Sequence, residues 1–229
     1  MRQNSLEQSN PDQPSGRDDF TTVFLLRHGE TVNTANGVFR YNGFTDVDIT
    51  ARARAQMARR AAEFSRLEID AVYSSDLKRC RIGGELIAEK CGCHLELVPD
   101  LREFNMGDWE GLSLEEVKER YPDQVKKKFA DFLNYRIPHS ETIAEVEARV
   151  YPAFDAIIAR HPGGTVVIVA HGGVNLLLLT RALGLPTEKI FALSQDFGCI
   201  NRLHVGPDFT RVVMLNSTGV HEVEFEQDE

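Results

Sequence analysis

The sequence predicts an α/β fold whose central sheet is mostly parallel and flanked by helices. Three apolar segments have the length and composition of strands: "TVFLL" (residues 22–26), "AVY" (71–73) and "VVIVA" (166–170). Each is continuous rather than alternating, which is the pattern of a strand covered on both faces. Helix-length segments lie between them, and strands that alternate with helices build parallel sheets.

The elements follow in order. After the first strand, residues 50–67 begin at Thr50, a suitable N-cap, and are rich in Ala, Arg and Met. Residues 77–90 follow the second strand and carry Leu77, Cys80, Leu86 and Ile87 on an apolar side. Cys91-Gly92-Cys93 reads as a helix-to-strand turn at Gly92, because its spacing matches neither the usual zinc nor the usual redox motif. Residues 114–121 and 124–133 form a more polar helical pair broken at Pro122. Residues 142–160 place Ile143, Val146, Val150, Phe154, Ile157 and Ile158 at helical spacing. Residues 174–183 are apolar nearly all round, as in a buried helix. The last elements, "CINRLHVG" and "TRVVMLN", flank Pro207-Asp208 and read as a hairpin.

With 229 residues, 42% hydrophobic and 27% charged, the chain has material for one large core. Residues 20–218 are expected to form that single domain. Residues 1–19, polar and without an apolar stretch, read as a disordered tail rather than a signal peptide, and residues 219–229 as an acidic, solvated tail. The net charge of −9 speaks against a nucleic-acid surface but leaves room for a small anionic substrate. The most apolar region is interrupted by His171, Gly172, Gly173 and Asn175, so no membrane span is expected. The four cysteines lack the density of a disulfide scaffold, so a reduced, cytoplasmic protein is expected.

Ligands of open α/β sheets bind beyond the carboxyl ends of the strands. Arg27 and His28 follow the first strand there. Ser74, Ser75, Asp76 and, a turn later, Arg79 follow the second, and His171, Gly172 and Gly173 follow the third. Two histidines and two arginines on one rim would repel one another unless they hold an anion, and arginine forks suit phosphate. A histidine beside a phosphate can attack phosphorus, and a second can stabilise the transition-state charge. A proton donor for the leaving oxygen is still required, and "LREFNMGDWEG" offers Glu103, Asp108 and Glu110 without a choice among them.

"LLRHGET", "VYSSDLKRC", "LREFNMGDWEG" and "VIVAHGGV" resemble, in order and spacing, the blocks of the histidine phosphatase (phosphoglycerate-mutase-like) superfamily, over roughly residues 23–216. The resemblance implies that family's fold, with the active site at the C-terminal strand ends. It implies His28 as nucleophile, Glu103 as general acid/base and His171 as the second histidine, with Arg27 and Arg79 clamping phosphate and no metal or other cofactor. It extends phosphate binding to Asn42, Gly43 and Gly172, and to an asparagine in the loop after the nucleophile. Direct counting puts that last position at Thr34. Counting back from "RYNG" puts it at Asn36, which is preferred here, with Asn33 second. The chain departs from the family pattern at Gly83-Gly84 (usually Thr-Ala), at Ala53 (usually Gly) and at Ser140-Glu141-Thr142 (usually Gly-Glu-Ser).

The family's mutases carry a longer, proline-rich segment after the catalytic glutamate. Residues 111–138 are short and have no proline run, so a phosphatase is expected. "QDFGCINRLHV", through Gln195, Gly198, Cys199 and Asn201, is similar to the C-terminal part of alpha-ribazole phosphatases, which implies alpha-ribazole 5′-phosphate as substrate. Alternatives are a phosphoglycerate mutase, a broad sugar-phosphate phosphatase, and a non-catalytic phosphate-binding scaffold. Lys126, Lys127 and Lys128 read as a solvated helix face and Trp109 as packing beneath the active-site loop. The expected partner is a small phosphorylated metabolite, with a homodimer possible, and no nucleic acid or membrane.

Overall fold

The computed structural model describes residues 19–219, so most of both expected tails lies outside the described residues. Six strands form one sheet: β1 (Thr21–Arg27), β2 (Ala71–Ser74), β3 (His94–Leu97), β4 (Thr165–Ala170), β5 (Ile200–Val205) and β6 (Thr210–Ser217). Their order is β3-β2-β4-β1-β5-β6; the first four are mutually parallel and the β5–β6 hairpin adds antiparallel to β1. The helices are α1 (Ala51–Phe64), α2 (Lys78–Cys91), α3 (Leu114–Arg120), α4 (Pro122–Ala130), α5 (Ile143–Ala159) and α6 (Gly172–Ala182). β3 is the strand that periodicity does not announce. It has four half-exposed or exposed residues at the sheet edge and enters through Gly92 in the left-handed conformation (φ 67°).

The three predicted strands are apolar on both faces because both faces are covered. Val23 and Leu25 of β1, Tyr73 of β2 and Ile168 of β4 pack in one cluster with Val146, Val150 and Phe154 of α5 and Leu177 of α6. The intervening Phe24, Leu26, Val72, Val167 and Val169 pack on Ala61 and Phe64 of α1 and on Cys80 and Ile87 of α2. This gives three layers, α5/α6 over the sheet over α1/α2. Each fully buried aliphatic or aromatic side chain contributes about 1.5–3 kcal/mol by leaving water.

Local chemistry sets the helix ends. The Thr50 hydroxyl caps α1 by accepting from Ala53 N, and Thr142 and Glu145 form a reciprocal capping box on α5. Pro122 breaks α3 from α4 and serves as the first residue of α4. The glycine pair in α2 lets that helix approach the sheet: a Cβ on Gly84 would lie 2.9 Å from Ser74 Cβ. A small satellite core of Trp109, Val117 and Ile137 forms under the loop after β3, with Trp109 Nε1 donating to Gln124 Oε1. Among the described residues, no helix is long and apolar enough to cross a membrane.

Candidate active site

Parallel register makes one rim out of three separate strand ends. Arg27 pairs with Ala170 and Ser74 with Val169, so the residues after β1, β2 and β4 emerge side by side. His28 follows β1, with its backbone N–H bonded to Ala170 O, and His171 is the N-cap of α6. Their rings meet edge to face with centroids 5.3 Å apart.

Hydrogen bonding selects the tautomer of His28. Its Nδ1 lies 2.8 Å from the carbonyl oxygen of Gly29, which can only accept, so Nδ1 carries the proton and Nε2 keeps its lone pair. Burial, then the positive charges of Arg79 and Arg27, holds its pKa well below the ordinary histidine value. The ring is neutral at physiological pH, as a nitrogen nucleophile must be.

His171 and Arg79 lie one layer deeper than the sequence reading implied. Neither lines the cavity beside His28, and both are fully buried. Arg79 Nε donates to His171 Nδ1 at 3.2 Å, so the proton of the neutral ring is on Nε2, 2.9 Å from Ser75 Oγ. Arg79 Nη1 donates to Thr45 O, and its Nη2 donates to Asn42 O and Gly43 O. The guanidinium therefore ties the 42–45 loop to the rim while leaving its charge under the cavity. Burial, followed by Arg79, His28 and Arg27, also keeps His171 well below the usual histidine range. Cys80 Sγ sits 3.3 Å from His171 Nε2, and burial pushes its thiol far up, so it stays a neutral packing group.

Arg27 does face the cavity. Its guanidinium stacks 3.9 Å over the Phe197 ring and Nη1 donates to Gln195 O, while its buried Nε has no partner among the described residues. An unpartnered buried guanidinium N–H is costly and suits an incoming anion. Gly172, also on the cavity wall, opens α6, where a backbone N–H has no carbonyl one turn back. A Cβ on Gly172 would come within 3.2 Å of Arg27 Nε.

Geometry separates the three carboxylates. Glu103 lines the cavity, its oxygens accepting from Gly173 N at 3.0 Å and from its own neighbour Phe104 N at 3.1 Å. Asp108 pairs outward with the exposed His139. Glu110 accepts from the backbone N–H groups of Gly43, Phe44, Thr45 and Met106 and from the Thr45 hydroxyl, which makes it the anchor of the 43–45 loop.

The loop positions divide differently. Asn36 is exposed, and its Oδ1 accepts from Val38 N in a local turn, so the preference for Asn36 as a phosphate ligand is corrected. Thr34, the directly counted position, is buried and lines the cavity, as do Thr31 and Asn42. Asn42 exchanges amide hydrogen bonds with Asn33 and donates to Thr31 Oγ1. Gly43 is not on the wall: its N–H goes to Glu110, its carbonyl to Arg79, and a Cβ there would lie 2.1 Å from Phe104 O.

The cavity encloses about 330 Å³, and much of its wall is apolar, including Phe104, Met106, Phe132, Ile143, Leu176 and Phe191. Phe132 and Phe191 stack edge to face with centroids 4.8 Å apart, and Phe191 remains 66% exposed at the mouth. Lys128 departs from the solvated-face reading. It is half-buried on the cavity wall, donating Nζ to the carbonyls of Phe132 and Tyr135, and burial lowers its pKa. Gln195, Cys199 and Asn201 form a buried amide and thiol network that also binds Leu25 O. That network supports the Gln195 carbonyl on which Arg27 rests, which explains the sequence pattern without reference to an organic substrate. Among the described residues, no group of three His, Cys, Asp or Glu is placed to hold a metal ion.

The chain is similar to known proteins over most of its length. The chain is 33% identical over 215 residues to phosphoglycerate mutase-like protein 4 of Arabidopsis thaliana, covering 91% of each chain. It is 30% identical over 198 residues to phosphoserine phosphatase 1 of Hydrogenobacter thermophilus, covering 86% of this chain and 92% of that one. The alpha-ribazole phosphatase of Shigella flexneri superposes with a TM-score of 0.78 at 24% identity, over 87% of this chain and 98% of that chain, a likeness of fold. Residues 23–218 match the Histidine phosphatase superfamily (branch 1), and the chain is a phosphatase-type enzyme belonging to that family.

Proposed function

We propose that the chain hydrolyses a small phosphomonoester through a phosphohistidine on His28. The observation that carries this is the neutral His28 ring, with Nδ1–H committed to Gly29 O, in one cavity with Glu103. In the first step Nε2 of His28 bonds to phosphorus as the ester P–O bond breaks, and Glu103 delivers a proton to the departing oxygen. In the second, Glu103 takes a proton from water as that water attacks phosphorus. The P–N bond then breaks, releasing inorganic phosphate and restoring the neutral imidazole. Arg27 Nε and the Gly172 N–H meet the phosphoryl oxygens, and the Arg79 charge supports them from below through His171 and the 42–45 loop. No step requires a metal ion or other cofactor.

For the organic half, alpha-ribazole 5′-phosphate is the preferred substrate. The apolar part of the wall suits an aromatic base. A glycerate or serine ester would bring further charge, and with Arg27 committed to the phosphoryl group the other two cationic residues on the wall are already held, Arg40 by Glu116 and Gly111 O and Lys128 by two carbonyls. Phosphate release in the presence of a chelator, over alpha-ribazole 5′-phosphate, 3-phosphoglycerate, phosphoserine and sugar phosphates, tests both levels. Preferred turnover of the ribazole ester is expected, with His28→Ala inactive. A preference for the charged esters would overturn the substrate, and an active His28→Ala would overturn the mechanism.

A further inference from the structure

We propose that Arg149, in the middle of α5, is the positioning residue that holds Glu103 at the proton-transfer geometry, with Glu141 as its partner. This rests on the reading of Glu103 as general acid. Glu103 sits in residues 102–106, which belong to no helix or strand. A proton donor must be fixed to a few tenths of an ångström, and misplacement by about 1 Å costs about 100-fold in rate. Something outside the segment must therefore supply the rigidity.

Arg149 supplies it with all five of its N–H groups. Nη1 donates to Asp100 O at 2.8 Å and to Arg102 O at 2.7 Å, and Nη2 donates to Glu103 O at 2.9 Å. Nε and the remaining Nη2 hydrogen form a fork onto the two oxygens of Glu141, each at 2.8 Å. Glu141 then grips the far side of the segment: its Oε2 accepts from Asn105 N and its own N–H donates to Asn105 O. The chain is pinned before Glu103, at Glu103 and two residues after it. Its side chain is then left to the α6 N-terminus, where Gly173 N meets Oε2. The fit there is close, since a Cβ on Gly173 would lie 2.5 Å from Glu103 Oε1.

Arg149 is built for this and not for contact with substrate. It does not line the cavity, whereas Glu141 reaches the wall, and the two side chains are only 16% and 20% exposed, so each charge depends on the other. Only guanidinium can serve: lysine offers three donors from one point and cannot both fork onto Glu141 and span three carbonyls. In the sequence Arg149 sits three residues after Val146 and beside Val150, a charge flanking the buried stripe of its helix.

The test compares two esters in the parent and four variants. A 4-nitrophenyl ester has a leaving group that needs no proton, whereas an alkyl phosphate needs one. Arg149→Lys is expected to lose about 100-fold in kcat/KM on the alkyl ester and less than about 3-fold on the nitrophenyl ester. Glu141→Gln, which keeps an acceptor and threatens the fold less, should show the same selectivity at reduced size. In a Glu103→Gln background, Arg149→Lys should cost nothing further. Equal losses on both esters with unchanged melting, or additive losses in that background, would overturn the proposal. If Glu103→Gln itself fails to discriminate between the esters, the general-acid reading falls and takes this one with it. Discrimination by Glu103→Gln with none by Arg149→Lys or Glu141→Gln removes the Arg149 proposal alone.

Discussion

Glu110→Gln tests whether the carboxylates near the cavity have been assigned to the right tasks. Oε2 of Glu110 takes the Gly43 and Thr45 N–H groups and the Thr45 hydroxyl, and Oε1 takes the Phe44 and Met106 N–H groups. Glutamine keeps one acceptor oxygen and turns an NH2 group toward at least two backbone donors. Two hydrogen bonds to a charged acceptor are lost, at about 1.5–3 kcal/mol each, so the cost is about 3–6 kcal/mol. The exposure of Thr45 places the expected value toward the lower end. Against a total stability of about 5–15 kcal/mol this is a large fraction, and the melting temperature should fall by about 6–15 °C. Chemical and thermal unfolding followed by circular dichroism reads it directly, with Glu103→Gln and Asp108→Asn as companions. Glu103→Gln should lower the melting temperature about half as much as Glu110→Gln while losing turnover, because Glu103 accepts two backbone bonds and glutamine keeps an acceptor for one of them. A stable Glu110→Gln protein with the leaving-group-dependent defect would refute the assignment.

Two further outcomes follow from the same geometry. His28 and His171 are held neutral with pKa values well below the ordinary 6.5, so below that value the unfolded chain binds protons that the native chain does not. This contribution to stability is present above about pH 6.5 and is lost progressively with decreasing pH, as between about pH 7 and about pH 5.5. Urea unfolding at the two pH values reads this loss, His28→Gln should halve it, and a pH-independent midpoint would contradict it. Phe197→Leu removes the ring beneath Arg27, an interaction worth about 1 kcal/mol in a desolvated site, and should weaken inhibition by inorganic phosphate about 5-fold. An unchanged inhibition constant would show that Arg27 is held by the Gln195 carbonyl alone.

What the sequence made legible was what local pattern and strand-end logic can carry. Three strands apolar on both faces, each ending in charge, located the rim and put Arg27, His28, Arg79 and His171 on it. Depth was not legible: whether Arg79 faces the cavity or the 42–45 carbonyls depends on how that loop folds back, and no spacing encodes it. The same loop decides the carboxylates. Glu110 is structural because residues 43–45 present their amides to it, a contact between segments about 65 residues apart. Asn36 misled because an asparagine in a turn satisfies its own backbone as readily as a ligand. β3 is short, half-polar and at an edge, so it carries little periodic signal. Lys128 looks like its neighbours in sequence and differs only because the end of its helix turns two carbonyls toward it.

Catalysis through His28 requires a phosphoryl group carried on its Nε2. Rapid mixing with radiolabelled substrate, an alkaline quench and amino-acid analysis of the labelled peptide would locate it. The expected product is an alkali-stable, acid-labile phosphohistidine in the peptide containing His28, linked through Nε2 because Nδ1–H is committed to Gly29 O. A label on Nδ1, on His171, or on no residue while turnover proceeds would contradict it.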